Sequence, residues 1–486
     1  MQKTVLFLKR KQHTSIFVAF ICVGILLGVA YVVLPNSAPV YGLGWFIFSI
    51  LLLVFCFWKR TTWLLSFAIV SGMLIGITRA APMYQQVAEY EAVMGSVTDA
   101  TGIVSEDVAI GKRGDKQLKI TNVTINGRSF SGTVWISTNS HLNLKRGYEI
   151  TANGKINDGF GSFSASIYNA KIIEAKDTHK DKAREIRDWF SDSIRVAIPE
   201  PEASLGIGYL VGQKSSLPEN LQEQLKIVGL THIVVASGYN LTILVRFTRR
   251  IFSKISKYLA ALTGGLMIAG FMLVTGFSPS MSRAGLVAGL SLGAWYYGRK
   301  IHPLVLLPFA AAVTVIINPS FMWGDLGWYL SFAAFAGVMV FAPLFQDYFF
   351  GPKKPGTLRQ ILGETISAQL TTLPIIAMSF GVVAVFALPA NVLVLPFVPI
   401  AMFLTFGAGV VALIFPTAAL IVGVPAYLLL RYMTTIVDVF ANIPNANIEI
   451  SLDVVGLVIL YTLLIMAGIY MQRSTKHNFK EDNIVE

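Results

Sequence analysis

A short polar group, formed by His232, Ser237, Gly238 and Asn240, interrupts a stretch of sequence that is otherwise apolar enough to enter a membrane. A serine and a histidine could act as nucleophile and base in an intramembrane hydrolase if their side chains met. Residues five apart on one helix point about 140° away from each other, so His232 and Ser237 cannot pair unless the helix unwinds at Gly238. Because polar groups at membrane depth are costly, we expect these residues to line a polar path instead.

Other polar residues stand alone in apolar surroundings later in the chain. An arginine in such a position either reaches the membrane interface or presents its cation to an aqueous path. A buried amide either joins two helices or lines a lumen. The candidates for the lining of such a polar path are His232, Ser237, Gly238, Asn240, Arg283, Gln369 and Asn391.

Two further features predict structural roles. Gly285, Gly289 and Gly293 repeat every fourth residue, and such a stripe of small residues lets another helix approach closely. Asp325 precedes an apolar run, where a carboxylate typically caps a helix or complements its dipole.

The composition places these residues in a polytopic membrane protein. Of 486 residues, 54% are hydrophobic and 14% are charged, and the mean hydropathy is +0.62. Soluble globular chains do not combine these values at this length. The net charge of +12 arises largely from basic residues beside apolar runs, where they mark cytoplasmic loops. The two cysteines, Cys22 and Cys56, lie in apolar segments, so we expect no disulfide framework, metal site or cofactor.

Apolar runs predict about twelve membrane spans with both termini in the cytoplasm. Residues 1–80 hold three of them, and the first run is too long for a signal peptide and has no cleavage pattern. Residues 231–472 hold the others, beginning with a span over 233–247. The proline-rich region 381–450 is counted as two crossings and a re-entrant piece. Residues 473–486 are predicted to form a short cytoplasmic tail.

Residues 180–230 are predicted to form interfacial amphipathic helices. From Asp181 to Val196, apolar side chains that include Ile186 and Trp189 alternate with basic ones that include Arg184 and Arg187. This pattern predicts a helix on the outer membrane surface with its apolar and basic side chains on opposite faces, or an ordinary linker helix. A second short helix is expected over 217–228, with Pro218 in its first turn.

The long apolar runs stop in residues 95–176, where apolar and polar residues alternate with a period of two. Five strands separated by turns such as Asn126-Gly127 predict an extracytoplasmic all-β domain. Five short strands in about 80 residues fit a small barrel of the OB type, and a five-stranded sandwich fragment fits nearly as well.

Basic and aromatic residues are interleaved in this β region. Cations can bind phosphates and aromatic rings can stack on bases, which is what a single-stranded nucleic acid requires. The alternative is that these residues have structural roles only, because aromatic residues in a small β domain mostly belong to its core and scattered lysines are mostly solvated. The predicted DNA-binding set comprises Arg113, Lys116, Lys119, Arg128, Trp135, Lys145 and Arg146.

The segment from Gly208 to Leu244, GYLVGQKSSLPENLQEQLKIVGLTHIVVASGYNLTIL, resembles the signature of the ComEC-type competence proteins. Downstream segments agree in order: GFSPSMSRAGL, NPSFMWGDLGWYLSFAAFAG and SAQLTTLPIIAMSFGVVAVFALPANVLVLPFVP. Three amino-terminal spans followed by an OB-like domain also resemble the plan of that family.

This resemblance implies an inner-membrane channel, not an enzyme, through which single-stranded transforming DNA enters the cell. The implied partners are single-stranded DNA, membrane lipid, a DNA receptor, a cytoplasmic DNA-translocating ATPase and a separate nuclease, and the chain could also form a homo-oligomer. A separate nuclease is expected because many family members continue into a metallo-β-lactamase-like domain, whereas the six histidines here form no HxHxDH cluster. Asn240 stands where many members have histidine, and an amide cannot carry a proton charge near neutral pH.

A secondary transporter of a small molecule is the main alternative to the channel. Transporters also place polar groups near the membrane midplane, but they usually show repeated halves and a buried acidic residue that couples ion movement. Glu364 and Asp438 are the acids that could serve. The intramembrane hydrolase is the other alternative, and the angle between His232 and Ser237 argues against it.

Overall fold

The computed structural model describes residues 11–34, 37, 39, 41–111, 114–178, 181–213, 216–234, 237–351, 356–477 and 479. The chain divides into two compact units. One comprises Met1–Lys180 with Ile301–Tyr329, and the other comprises Asp181–Lys300 with Leu330–Glu486.

Helices dominate the chain. In chain order they are α1 (Thr14–Val32), α2 (Leu43–Lys59), α3 (Leu65–Ala88), α4 (Lys182–Ala197), α5 (Glu202–Val211), α6 (Glu219–Val228), α7 (Thr231–Val234), α8 (Gly238–Phe252), α9 (Lys257–Thr275), α10 (Pro279–Tyr296), α11 (Pro303–Ile317), α12 (Leu326–Ala336), α13 (Ala342–Phe350), α14 (Thr357–Phe380), α15 (Ala387–Val394), α16 (Val398–Ile414), α17 (Pro416–Ala441) and α18 (Val454–Thr475). The strands are β1 (Val97–Val104), β2 (Ala109–Ile110), β3 (Lys116–Ile125), β4 (Arg128–Phe130), β5 (Val134–Thr138), β6 (Glu149–Asp158), β7 (Ala165–Ile167), β8 (Lys171–Lys176), β9 (Val382–Ala384) and β10 (Asn447–Glu449).

Long apolar helices identify the chain as a membrane protein. Within the described ranges, eight helical segments are long and apolar enough to cross a bilayer: Thr14–Val32, Thr62–Ala92, Lys257–Thr275, Leu326–Phe350, Arg359–Phe380, Ala387–Ile414, Pro416–Ala441 and Val454–Thr475. Two more apolar helices, Leu43–Lys59 and Pro303–Ile317, have only 17 and 15 residues. The expected total of about twelve spans therefore stays a prediction.

Glycines bring α1 and α3 into backbone contact in the first unit. Gly24 and Gly28 on α1 lie against the backbone of α3, and Gly72 and Gly76 on α3 lie against that of α1. A Cβ atom at any of the four positions would overlap a carbonyl oxygen of the facing helix. Two small-xxx-small pairs therefore face each other, which is how helices approach closely in lipid.

We expect Gly72→Leu to destabilise the first unit by about 3 kcal/mol, because the added side chain must push α1 and α3 apart. Thermal unfolding of the purified chain in detergent measures the effect. Gly44→Leu is the matched control, since nothing in the described structure lies within 4 Å of a Cβ at Gly44. Equal melting temperatures for the two variants would contradict the close packing of α1 on α3.

The predicted close contact along α10 is wrong for two of its three glycines. A Cβ at Gly285 would meet the side chain of Met272, but at Gly289 and Gly293 no atom of the described residues lies within 4 Å. The four-residue spacing places small residues on one side of a helix, but spacing alone does not say whether a neighbouring helix packs against them.

The strands of the first unit form a barrel-like sheet. Strand β1 pairs with β3, β3 with β5, β5 with β7 in parallel, β7 with β6, and β6 again with β1, so the pairings close a ring. Its core contains mainly branched aliphatic side chains, including Ile120, Ile136, Ile150 and Ile167. The closed ring favours the predicted barrel over the sandwich fragment, because an open sandwich would leave β1 and β6 as edges.

Helix α4 begins and ends close to the predicted residues, but the predicted division of its faces is wrong. Arg184 and Arg187 are buried on the same side as Ile194, whereas Ile186 and Trp189 are exposed. The buried side packs on α16 and α17, where Gly409 and Gly423 leave room for it. An arginine can be buried there because it has polar partners, as Arg187 does in Asp188 at 3.0 Å.

Helix α6 confirms the expected short amphipathic helix. It begins at Glu219 directly after Pro218 and buries Leu221, Leu225 and Val228, which lie at helical spacing. Gly229 ends the helix with a left-handed backbone conformation, φ +78°, which glycine adopts without strain.

Candidate functional site

The predicted span over 233–247 is broken in the second unit. Helix α7 ends at Val234 and α8 begins at Gly238, with Ser237 as its N-cap. The Ser237 hydroxyl accepts a hydrogen bond from the backbone N–H of Asn240 at 3.3 Å. A serine cap followed by glycine explains why the helix restarts here, and the hydroxyl satisfies one of the first N–H groups of α8.

His232 and Ser237 are each engaged by backbone groups. The Nδ1 atom of His232 donates to the carbonyl of Gly229 at 3.0 Å, while Ser237 caps α8. Because the two residues lie on different helices, the angle along one helix no longer applies to them. Their hydrogen bonds point to local structural roles for both side chains and give no support to a catalytic pair.

Arg283 on α10 lies beside the start of α8. A Cβ at Gly238 would be 3.3 Å from Arg283 Nη2 and 3.1 Å from the Cβ of Ala284. The Nε of Arg283 donates to the hydroxyl of Ser331 at 2.6 Å, and its guanidinium lies over the ring of Phe335 at 5.1 Å. Gly238 is therefore the residue that allows the guanidinium to approach α8.

This arrangement can bind an anion. In the part of the chain that the structure describes, Arg283 has a hydroxyl and an aromatic ring as partners and no carboxylate. The first N–H groups of α8 carry the positive end of the helix dipole close by. A cation without a counter-ion beside a helix N-terminus favours the binding of a negatively charged group such as a phosphate.

Asn240 ties α8 to α5. Its side chain is completely buried, and its Nδ2 donates to the carbonyl of Tyr209 at 3.0 Å. Among the described residues, its Oδ1 has no hydrogen-bond partner. The structure thus brings Ser237, Gly238, Asn240 and Arg283 together.

Gln369 and Asn391 are placed differently from that group. The Oε1 of Gln369 and the Oδ1 of Asn391 are buried without partners in the described ranges. No hydrogen bond among the described residues joins either side chain to Arg283 or Asn240. Both amides lie on helices of the second unit, α14 and α15, and their place in a common path stays a prediction.

A buried acid, Glu202, was not among the residues predicted from the sequence. Its carboxylate is 2% exposed and pairs with Arg431 at 3.0 Å, and the hydroxyl of Thr434 donates to it at 3.4 Å. Asp438, which was considered as a coupling acid, accepts instead from Gln224 at 2.6 Å. Glu202 stands at the first position of α5, where a carboxylate is common, so sequence alone did not distinguish it.

Four aromatic rings gather on one face of the barrel in the first unit. Trp135 on β5 lies 5.2 Å from Tyr168 and 5.4 Å from Phe160, and Phe160 lies 5.1 Å from Phe163. Phe160 is 44% and Tyr168 is 52% exposed. Rings in the core of a small barrel would be covered, so we define these four residues as the aromatic platform. Phe160 was missed because it lies in a loop outside every strand pattern.

Lys119 completes the aromatic platform with a cation. It is paired across the sheet with Trp135, and its Nζ lies 5.7 Å from the centre of the Phe163 ring. The same Nζ is 2.8 Å from Glu106, and both side chains are more than one third exposed. A phosphate could replace this carboxylate as the partner of Lys119, because exposed pairs are weak.

The other predicted basic residues are spread over the barrel. Lys116 donates to the carbonyl of Leu142 at 2.7 Å, Arg128 is exposed on β4, and Lys145 is partly buried. Arg146 is only 6% exposed, unlike the exposed cation that was expected, and its place in the DNA-binding set stays a prediction. Arg113 lies outside the described residues.

A comparison with known proteins places the chain among competence proteins. A family model described as "Competence protein" matches residues 209–474, which is more than half of the 486 residues. This region contains α8 and Arg283. No solved structure matches the chain significantly.

Two relatives extend the comparison. "ComE operon protein 3" of Bacillus subtilis (strain 168) is 22% identical over 234 residues, which is 48% of this chain and 29% of that protein. An "Uncharacterized protein" of Aquifex aeolicus (strain VF5) is 22% identical over 336 residues, covering 66% of this chain and 76% of that protein. The chain thus spans less than a third of the length of the Bacillus relative.

Proposed function

Because the chain belongs to the competence protein family, we propose that it forms the path by which one strand of DNA crosses the cytoplasmic membrane during natural transformation. The observation that carries this proposal is the aromatic platform with Lys119 on a barrel attached to a competence membrane protein. A role in competence and DNA uptake follows from the family, and the single-strand channel is the finer proposal.

The barrel is proposed to be an OB-like domain outside the cytoplasm. Counting only the strands of the ring, the spatial order is first, second, third, fifth, fourth and again first, with the third and fifth parallel. OB folds bind oligonucleotides on the face of their second and third strands and in the adjoining loops. Lys119 and Trp135 lie on those two strands, and Phe160 and Phe163 lie in the loop before the fifth.

Unpaired bases are the ligand that suits the aromatic platform. A ring can stack on a base only when the base is not already stacked inside a duplex, and such stacking tolerates any sequence. A cation beside the rings holds the phosphate that precedes or follows the stacked base. The platform therefore supports capture of a single strand rather than of a duplex.

Arg283 is proposed to contact the strand inside the membrane part. A translocating strand carries one negative charge per nucleotide, and the guanidinium beside the N-terminus of α8 supplies a matching positive charge. The partners that the described residues offer Arg283 are a hydroxyl and an aromatic ring, and neither neutralises its charge. A path with few such contacts binds each phosphate weakly enough to release it.

The remaining features of the proposal come from the resemblance to ComEC-type proteins. We propose about twelve spans, cytoplasmic termini, an inner-membrane location and contact with membrane lipid. We also propose that a DNA receptor, a nuclease and a DNA-translocating ATPase are supplied by other chains, and that the chain can form homo-oligomers.

Expression of the chain in a naturally competent bacterium that lacks its own family member tests the proposed function. We expect transformation and cytoplasmic entry of labelled DNA to be restored, while growth on small nutrients stays unchanged. Membrane insertion is checked by fractionation and immunoblot. An inserted chain that changes nutrient uptake and leaves DNA outside the cell would support the transporter instead.

A further inference from the structure

The loop between β6 and β7, residues 159–164, carries two of the four rings of the aromatic platform. It contains Phe160, Phe163 and two glycines, and Gly161 has a left-handed backbone with φ +59°. A loop of this composition would ordinarily be mobile. Ordering such a loop when a ligand binds would cost affinity, so whatever fixes it in advance is important for binding.

Direct contacts fix this loop within the first unit. The Ser162 hydroxyl donates a hydrogen bond to the Oδ2 of Asp325 at 3.1 Å. Next to it, the backbones of Gly161 and Gly324 touch: a Cβ at Gly324 would lie 2.9 Å from the Cα of Gly161. Both contacts hold the segment between the two phenylalanines.

Asp325 is itself firmly held. Its other oxygen, Oδ1, accepts from the backbone N–H of Trp328 at 2.7 Å, so the carboxylate caps α12 as the sequence predicted. The indole Nε1 of Trp328 donates to the buried hydroxyl of Thr314 at 3.0 Å. The acceptor of the Ser162 hydrogen bond therefore belongs to a buried, hydrogen-bonded support.

We propose that Asp325 and Ser162 are positioning residues for nucleobase stacking: they hold Phe160 and Phe163 in place beside Trp135 before the strand arrives. The inference rests on the proposed function and adds a role for two residues that do not touch DNA. Preorganisation of this kind raises affinity without adding a contact to the ligand.

Binding of a fluorescent oligothymidylate to the full-length chain in lipid nanodiscs tests the proposal. Ser162→Ala removes the hydrogen bond to the loop and leaves the cap of α12 intact. We expect the dissociation constant to rise about tenfold, the equivalent of one weakened stacking contact. The slope of log Kd against log salt should not change, because no cation is removed.

Conservative variants separate positioning from loss of folding. Ser162→Thr keeps a hydroxyl donor and Asp325→Asn keeps both a cap and an acceptor, so both should bind nearly as the wild type does. Asp325→Ala should lose affinity. Ser129→Ala removes an exposed hydroxyl elsewhere on the barrel and should change nothing.

The outcomes distinguish this inference from the proposed function. Unchanged affinity in Ser162→Ala, together with reduced affinity in Trp135→Ala, would overturn the positioning role and leave strand capture standing. Unchanged affinity in both variants would overturn strand capture by the aromatic platform. A changed salt slope in Ser162→Ala would overturn the positioning role as well.

Discussion

Replacing Gly238 with leucine should lower DNA uptake by about 100-fold, since displacing a binding group by about 1 Å can have an effect of that size. A Cβ at this position is already 3.1 Å from the Cβ of Ala284 and 3.3 Å from Arg283 Nη2, so the larger leucine must displace α10 or its guanidinium. Leucine remains apolar, and insertion of the protein into the membrane should not suffer. Transformation frequency of the complemented strain measures the effect, with protein abundance measured in the same membranes.

A second glycine of the same unit serves as the control for Gly238→Leu. Gly270 on α9 has no described atom within 4 Å of its Cβ position, so a strain that carries Gly270→Leu should have the wild-type transformation frequency. Arg283→Met, which removes the cation without crowding α8, should lower uptake in the same direction as Gly238→Leu. Normal transformation by the inserted Gly238→Leu and Arg283→Met proteins would remove this site from the DNA path.

Replacing Trp135 with alanine should weaken binding of single-stranded oligonucleotides by about 30-fold, which corresponds to about 2 kcal/mol of stacking. Trp135 contacts two of the other rings, so its removal also loosens Phe160 and Tyr168. Lys119→Met should act differently, because losing one phosphate contact lowers the slope of log Kd against log salt by about 0.7. Fluorescence anisotropy over a range of salt concentrations separates the two effects.

Trp189→Ala is the matched control for Trp135→Ala. Trp189 is an exposed tryptophan of α4, outside the barrel, and its loss should not change oligonucleotide binding. A duplex of the same sequence should bind Trp135→Ala and the wild type equally, since its bases are already stacked. If duplex and single strand lose affinity alike in Trp135→Ala, the aromatic platform is not a base-stacking surface.

Local patterns predicted local structure well. The boundaries of α6 and the burial of Leu221, Leu225 and Val228 follow from helical spacing, because an amphipathic helix buries one stripe. Alternation of apolar residues located the β region, and Asn126-Gly127 marked the turn between β3 and β4. Asp325 was correctly placed as a cap, because a capping side chain acts within its own first turn.

The contacts between helices, and which side of each helix is buried, were predicted less well. The division of α4 into faces failed because the arginines have partners in the fold that the sequence does not reveal. The glycine stripe that includes Gly289 and Gly293 was predicted to let another helix approach closely, but the close helix contact is made by Gly24 and Gly72. Spacing identifies a face but not the element that covers it, since that element comes from a distant part of the chain.

Composition and hydropathy therefore indicated, without any structure, a membrane protein with an inserted β domain, because these properties depend only on residue types and on neighbours along the chain. The resemblance of the ordered motifs indicated the competence family. Only the tertiary structure decided that Gly238 admits Arg283, that four rings form one platform, and that Ser162 reaches Asp325. Ser162 and Asp325 are 163 positions apart in the sequence. Contacts of this kind are set by packing in three dimensions, and no local pattern encodes them.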